Sequence, residues 1–166
     1  MDTIDAAMLI LRVWLALVIV RHGVNHGRNL EGTASWFASK GFRSPETQAR
    51  ISAVGEIAIG LGLLVGLLTS FAAAGLIAIM FVAFWAIHRF AGFFVFARPD
   101  EGYEYVSTLA VAAFVLAIVG PGRFSLDHLF GLADRFDGWA GAVVALAGIV
   151  AASAQLAAFW RRPETS

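Results

Sequence analysis

The chain has no cysteine. Disulfide exchange, thiolate nucleophiles and cysteine-ligated metals are therefore excluded from its own chemistry. Any redox role must use a bound quinone, a haem or a partner. A charge bias is also lacking: 12 basic and 12 acidic residues cancel. No dense Lys/Arg patch is available to track phosphates, so nothing points to nucleic acid. A basic leader is missing too. Asp2 and Asp5 stand where a signal peptide would be positive, and Arg12 interrupts the apolar run behind them. The first apolar segment is therefore expected to stay as a span.

What is present is apolar surface. Hydrophobic residues make up 59% of the chain, and mean hydropathy is +0.76. Five stretches, Ile4–Val20, Ile51–Leu68, Phe71–Ile87, Tyr105–Val119 and Trp139–Trp160, come close to the roughly 20 residues that cross a bilayer as a helix. The expected fold is all-α, an integral membrane helical bundle with no room for a second soluble domain.

Gly23, Asn25 and Gly27 predict the end of the first span. Thr33–Lys40, with Trp36 and Phe37, reads as interfacial. Ser44 is placed to cap a helix that opens on Pro45. Gly62 and Gly66 form a small-xxx-small pair for close helix packing. The short link around Leu68-Thr69-Ser70 predicts a tight antiparallel hairpin. Ala91–Phe96 is apolar but too short to cross, and Gly120-Pro121-Gly122 stops the fourth span. Tryptophans bracket the last span, and Arg161-Arg162 follow it. Arg28, Lys40, Arg43, Arg50, Arg89, Arg98, Arg161 and Arg162 fall on one side, against Arg123 and Arg135 on the other. The positive-inside rule then predicts a multi-pass protein of the plasma (inner) membrane, with its N-terminus outside and its C-terminus in the cytoplasm.

Ionisable groups inside spans are costly and need reasons. Glu56 is the sharpest of them. Ser52, Glu56 and Gly60 share a helical stripe, and the carboxylate must be protonated, paired or hydrated. It is either a proton relay or ligand contact, or an interhelical ion pair that locks the bundle. Arg12 and Arg21 lie nine apart, on opposite sides of one helix, and the deeper Arg12 is the better partner for Glu56. His22 and His26 have a metal-compatible spacing only on a continuous helix, and no third ligand is near. They read as interfacial hydrogen bonders, with no metal site. His88 reads the same way, with axial haem ligation as the less favoured option. Glu104 and Tyr105 open the fourth span. Glu104 is a plain helix cap, or it converges with Tyr105, Arg21 and His22 at one membrane face. There His88, Phe93 and Phe94 would line a quinone-like ring.

Three segments together carry a family likeness: Arg12 followed by His22-Gly23; Gly55-Glu56 opening a glycine-rich helix; and Gly92-Phe93-Phe94, Glu104-Tyr105 and Gly120-Pro121-Gly122-Arg123-Phe124-Ser125-Leu126-Asp127. In this the chain resembles the DoxX family of small bacterial and archaeal membrane proteins over about Leu9 to Leu132. The resemblance implies a four-helix membrane bundle within residues 1–132, to which 133–166 add a fifth transmembrane helix and a short tail. It also implies a link to a thiosulfate:quinone oxidoreductase or terminal quinol oxidase, or to soluble sulfurtransferase or superoxide-detoxifying enzymes. Most members have no assigned activity, so the resemblance carries no enzyme assignment. Two features depart from the family: His26 stands near the position where a lysine often follows the His-Gly, and Trp139–Trp160 is extra.

The expectation is therefore an accessory or quinone-linked subunit of a membrane respiratory or redox complex, in contact with lipid and other subunits. Arg12, Arg21, His22, Glu56, Glu104 and Tyr105 would form its intramembrane polar cluster. The rivals are a non-catalytic scaffold that anchors a soluble enzyme and a small-solute or proton transporter.

Overall fold

The computed structural model describes residues 2–96 and 101–163. Arg98, part of the charge tally, and the last tail residues lie outside them. The described residues form eight α-helices and one 3-10 turn, with a single isolated β-bridge and no named strand. They make an all-α membrane bundle.

Asp2 caps the first helix, α1 (Thr3–Arg28), by accepting from the Ile4 N–H at 3.3 Å. The expected stop at Gly23 does not occur: α1 runs through both glycines to Arg28. Glycine weakens a helix in water, but a bilayer enforces internal backbone hydrogen bonding. Here Gly23 also lets α1 approach its neighbour closely. A methyl group at Gly23 would lie 2.9 Å from Ala53 O and Glu56 Cβ.

Asn29 ends α1 and caps α2 (Leu30–Ser39), which tucks Ala34 and Phe37 inward. The next helix, α3 (Pro45–Val65), opens on Pro45. Ser44 precedes it in a left-handed conformation without a side-chain cap bond, contrary to the expected role. Gly66 (φ +67°) and Leu68 (φ 48°) then turn the chain tightly into α4 (Thr69–Ala86). Gly66 is therefore a turn residue, and it is also closely packed: a methyl group there would collide with Arg12 Nη1 and Ser125 Cβ. Close approaches between helices use further glycines: Gly60 meets Val20, Ile19 and Ala16 of α1, and Gly148 meets the Ala74 carbonyl of α4.

A 3-10 turn (His88–Phe90) follows, then α5 (Glu104–Val119), two short helices, α6 (Leu126–Leu129) and α7 (Ala133–Phe136), and α8 (Gly138–Phe159). By length and composition α1, α3, α4 and α8 can each cross a membrane. The expected stretch Tyr105–Val119 is helical throughout, in a helix of 16 residues that is shorter than the other four. At 1.5 Å per residue that is about 24 Å, less than the hydrocarbon thickness.

Antiparallel α1 and α3 form one half of the bundle, and α4 with α5 and α8 forms the other. Leu15, Ile19, Leu63, Leu76, Val106 and Leu116 fill the centre. Ile10, Trp14, Val54, Val143 and Val150 point outward, the inverted pattern of a lipid-facing surface. Two ends result. The near end holds Asp2, the Gly66–Leu68 turn, α6 and α7. The far end holds α2, the His88 turn and Trp160.

Candidate functional site: three separate polar stations

The expected single cluster divides into three stations. The first is Glu56, 2% exposed. One helical turn earlier, Ser52 donates its hydroxyl to Glu56 Oε1. His26 of α1 reaches both groups, with Nδ1 3.2 Å from Ser52 Oγ and 3.2 Å from Glu56 Oε1. Ser52 has spent its only hydrogen on Glu56, so His26 must be the donor and carries a proton on Nδ1. Glu56 Oε2 is buried without a hydrogen-bond partner. The His26 side chain retains 21% exposure, so the station connects with the far-end surface.

The partner of Glu56 is therefore His26, with Arg12 elsewhere. The α1–α3 register explains this. Gly23 lies level with Ala53 and Glu56, and Arg12 is eleven residues away, roughly 16 Å along the axis. His26 carries the sequence signal that sits one helical turn beyond His22 on an unbroken α1.

The second station is Arg12, 1% exposed, at the near end. Its Nη2 donates to the Phe124 carbonyl at 2.5 Å, while Nε and Nη1 are buried without partners. Asp127 is 4% exposed and accepts from the Leu68 N–H and the Thr69 N–H, both at 2.7 Å. Its own N–H donates to Gly66 O at 2.8 Å. The first turn of α4 begins on Leu68, which has no side-chain oxygen, and the distant Asp127 caps it with both carboxylate oxygens. Nearby, Asp5 accepts from the Arg123 N–H at 2.9 Å. Neither aspartate was among the expected site residues. The Ser125-Leu126-Asp127 motif is the signal for one of them.

The third station is His88, buried beside the bundle at the far end. Its Nδ1 lies 2.6 Å from the Glu101 carbonyl and its Nε2 2.9 Å from the Tyr105 hydroxyl. A carbonyl only accepts, so Nδ1 carries the proton and Nε2 takes the Tyr105 hydrogen. Both ring nitrogens are thereby satisfied. Glu104 turns away from this dyad and accepts from the Val95 N–H at 3.1 Å. Arg21 and His22 are exposed on α1, and no hydrogen bond or ion pair joins them to Glu104 or Tyr105 among the described residues. His22 lies edge-on to His26 with ring centroids 6.4 Å apart. Phe93 and Phe94 are about half exposed and meet edge to face, and Phe93 also lies edge-on to Tyr103. Among the described residues, no three His, Asp or Glu side chains gather as metal ligands would.

Compared with known proteins, residues 7–89 match the family model of DoxX, half of the chain. The match ends at Arg89, short of the expected Leu132. It takes in Arg12, His26, Ser52, Glu56 and His88, while Tyr105, Asp127 and α8 lie beyond it. No curated protein and no solved structure matches the chain.

Proposed function

This chain belongs to the DoxX family, and from that premise we propose that it serves as an accessory, quinone-linked subunit of a membrane redox complex. The observation that carries the reading is the Glu56–His26–Ser52 station. Interconverting a quinone and a quinol moves two electrons and two protons. The chain has no cysteine to carry electrons, but it holds a protonatable pair, buried at Glu56 and open to the surface at His26. Its part is then ligand binding or proton handling, and the electrons move through another subunit. Glu56 Oε2, without a partner, is the acceptor that a quinol hydroxyl would satisfy. His88, saturated by Glu101 and Tyr105, would hold the far-end wall in place without touching the ring.

Within this reading the protein lies in the plasma membrane with its N-terminus outside. Arg28, Lys40, Arg43, Arg50, Arg89, Arg161 and Arg162 belong to the far end, against Arg123 and Arg135 at the near end. The test is binding of a short-chain quinone to the purified protein, wild type against Glu56→Gln. Losing a hydrogen bond to a charged group should weaken binding about tenfold or more. Equal, negligible binding by both would remove the quinone.

A second reading, a scaffold that anchors a soluble redox or detoxifying enzyme, draws on a different observation. Phe90, Phe93, Phe94 and Phe96 form an exposed aromatic run at the far end. Stable co-purification of a soluble enzyme, undisturbed by Glu56→Gln, would favour it.

A further inference from the structure

An open cleft lies between α4 and α8 at the far end, apart from the three stations. Its volume is about 420 Å³, the size of a small-molecule site. Phe81 and Trp85 of α4 face Leu156 and Ala157 of α8 across it, and Arg161 and Arg162 stand at its mouth beside Trp160. From Ser153 at its floor to Trp160 is roughly 10 Å of helix rise. The cleft therefore descends from a charged rim to the apolar level of the bilayer.

A third guanidinium adjoins it. Arg89 sits 4.0 Å from the centre of the Trp85 ring and 5.9 Å from that of Trp160, and its Nε is buried without a hydrogen-bond partner. No carboxylate lines the cleft, and none of the three arginines makes an ion pair among the described residues. Arg161 spends Nη1 on the carbonyls of Ala157 and Trp160, which leaves its other N–H groups for a ligand.

The rim is fixed in place. Phe42 and Trp160 form a β-bridge. The Arg43 N–H donates to Phe159 O at 2.7 Å, and the Arg161 N–H to Gly41 O at 3.0 Å. Trp160 Nε1 donates to Lys40 O at 2.8 Å. The arginines after α8 are thus held at set positions over the trough.

Three cations with aromatic rings above an apolar trough complement a negative headgroup joined to a hydrocarbon chain. A soluble anion would leave the trough empty of hydrocarbon. A zwitterionic headgroup would bring its own cation against the guanidiniums. We propose that this cleft binds one anionic glycerophospholipid, with its phosphate on Arg89, Arg161 and Arg162 and an acyl chain along Phe81, Trp85 and Leu156. The assignment is independent of the quinone reading.

The test is native mass spectrometry of the full chain in mild detergent, with equal amounts of phosphatidylglycerol and phosphatidylcholine. The wild type should retain the anionic lipid with about a tenfold preference. Arg161→Gln combined with Arg162→Gln should bring that preference to within about twofold, with helicity by circular dichroism as the folding check. Ala157→Trp fills the trough, keeps every guanidinium and should lower retention of phosphatidylglycerol. Millimolar inorganic phosphate should displace nothing. Equal retention of the two lipids by the wild type would overturn the proposal. So would an unchanged preference in the double variant, unchanged retention in Ala157→Trp, or displacement by phosphate, which would make the site one for a soluble anion. Should the double variant fail to fold, the Ala157→Trp and phosphate arms decide.

Discussion

Replacing Asp127, in the short helix α6, should do more damage than any other single change between α5 and α8. Its carboxylate makes two backbone bonds at 2.7 Å to the start of α4, and its own N–H holds Gly66, against which the buried Arg12 guanidinium packs. Asp127→Asn keeps one acceptor but turns an NH2 group toward a backbone donor, at a cost of about 2 kcal/mol. Asp127→Ala removes both bonds and leaves two buried backbone donors unmet, at a cost of about 2–4 kcal/mol. At about 2–4 °C per kcal/mol for a chain of this size, the midpoint of heat unfolding in detergent should fall by about 10 °C. The decisive measurement is the double-mutant cycle with Arg12→Met. Once the cation is gone, Asp127→Ala should cost less, with a coupling of about 1–3 kcal/mol. A midpoint for Asp127→Ala within about 1 °C of wild type, or a strictly additive cycle, would refute the reasoning.

Three further outcomes are expected. Gly148→Val drives a side chain into the Ala74 carbonyl and should cost about 3 kcal/mol by heat unfolding, whereas Gly55→Ala, with nothing within 4 Å, should cost nothing measurable; equal effects would contradict the packing. Tyr105→Phe removes the donor to His88 Nε2 and should cost about 1 kcal/mol, while His88→Ala orphans two groups and should cost more; the reverse order in the same melts would show that the dyad is not the coupling seen. Because the chain has no cysteine, Arg43→Cys and Asp134→Cys are clean reporters of orientation. An impermeant maleimide on intact cells should label only Asp134→Cys, and labelling of Arg43→Cys instead would invert the topology.

The membrane spans are legible in the sequence because continuous apolar runs have few other uses. Helix ends and helix register are not. Gly23 and Gly27 look like stops only if water competes for the backbone, and inside a bilayer it does not. The nine-residue spacing of Arg12 and Arg21 correctly separates a buried from an exposed arginine. It says nothing about which level of α3 faces which level of α1, so it cannot choose between Arg12 and His26 as the neighbour of Glu56. That choice depends on where Gly23 and Gly60 let the two backbones meet. The Ser52–Glu56–Gly60 stripe was readable because all three residues belong to one helix. The Asp127 cap was not, because it joins residues 58 and 59 positions apart.

The Phe42–Trp160 bridge has a consequence for biogenesis. It pins Phe42, in the linker after α2, to Trp160, 118 positions later in the chain. Contacts across such a separation form last, after the entropy of closing the intervening loop has been met. The first half of the bundle must therefore wait in the bilayer with an unfastened connector while the second half is translated and inserted. Insertase or chaperone dependence should then track the delivery of the final helix and be insensitive to the hydrophobicity of the first.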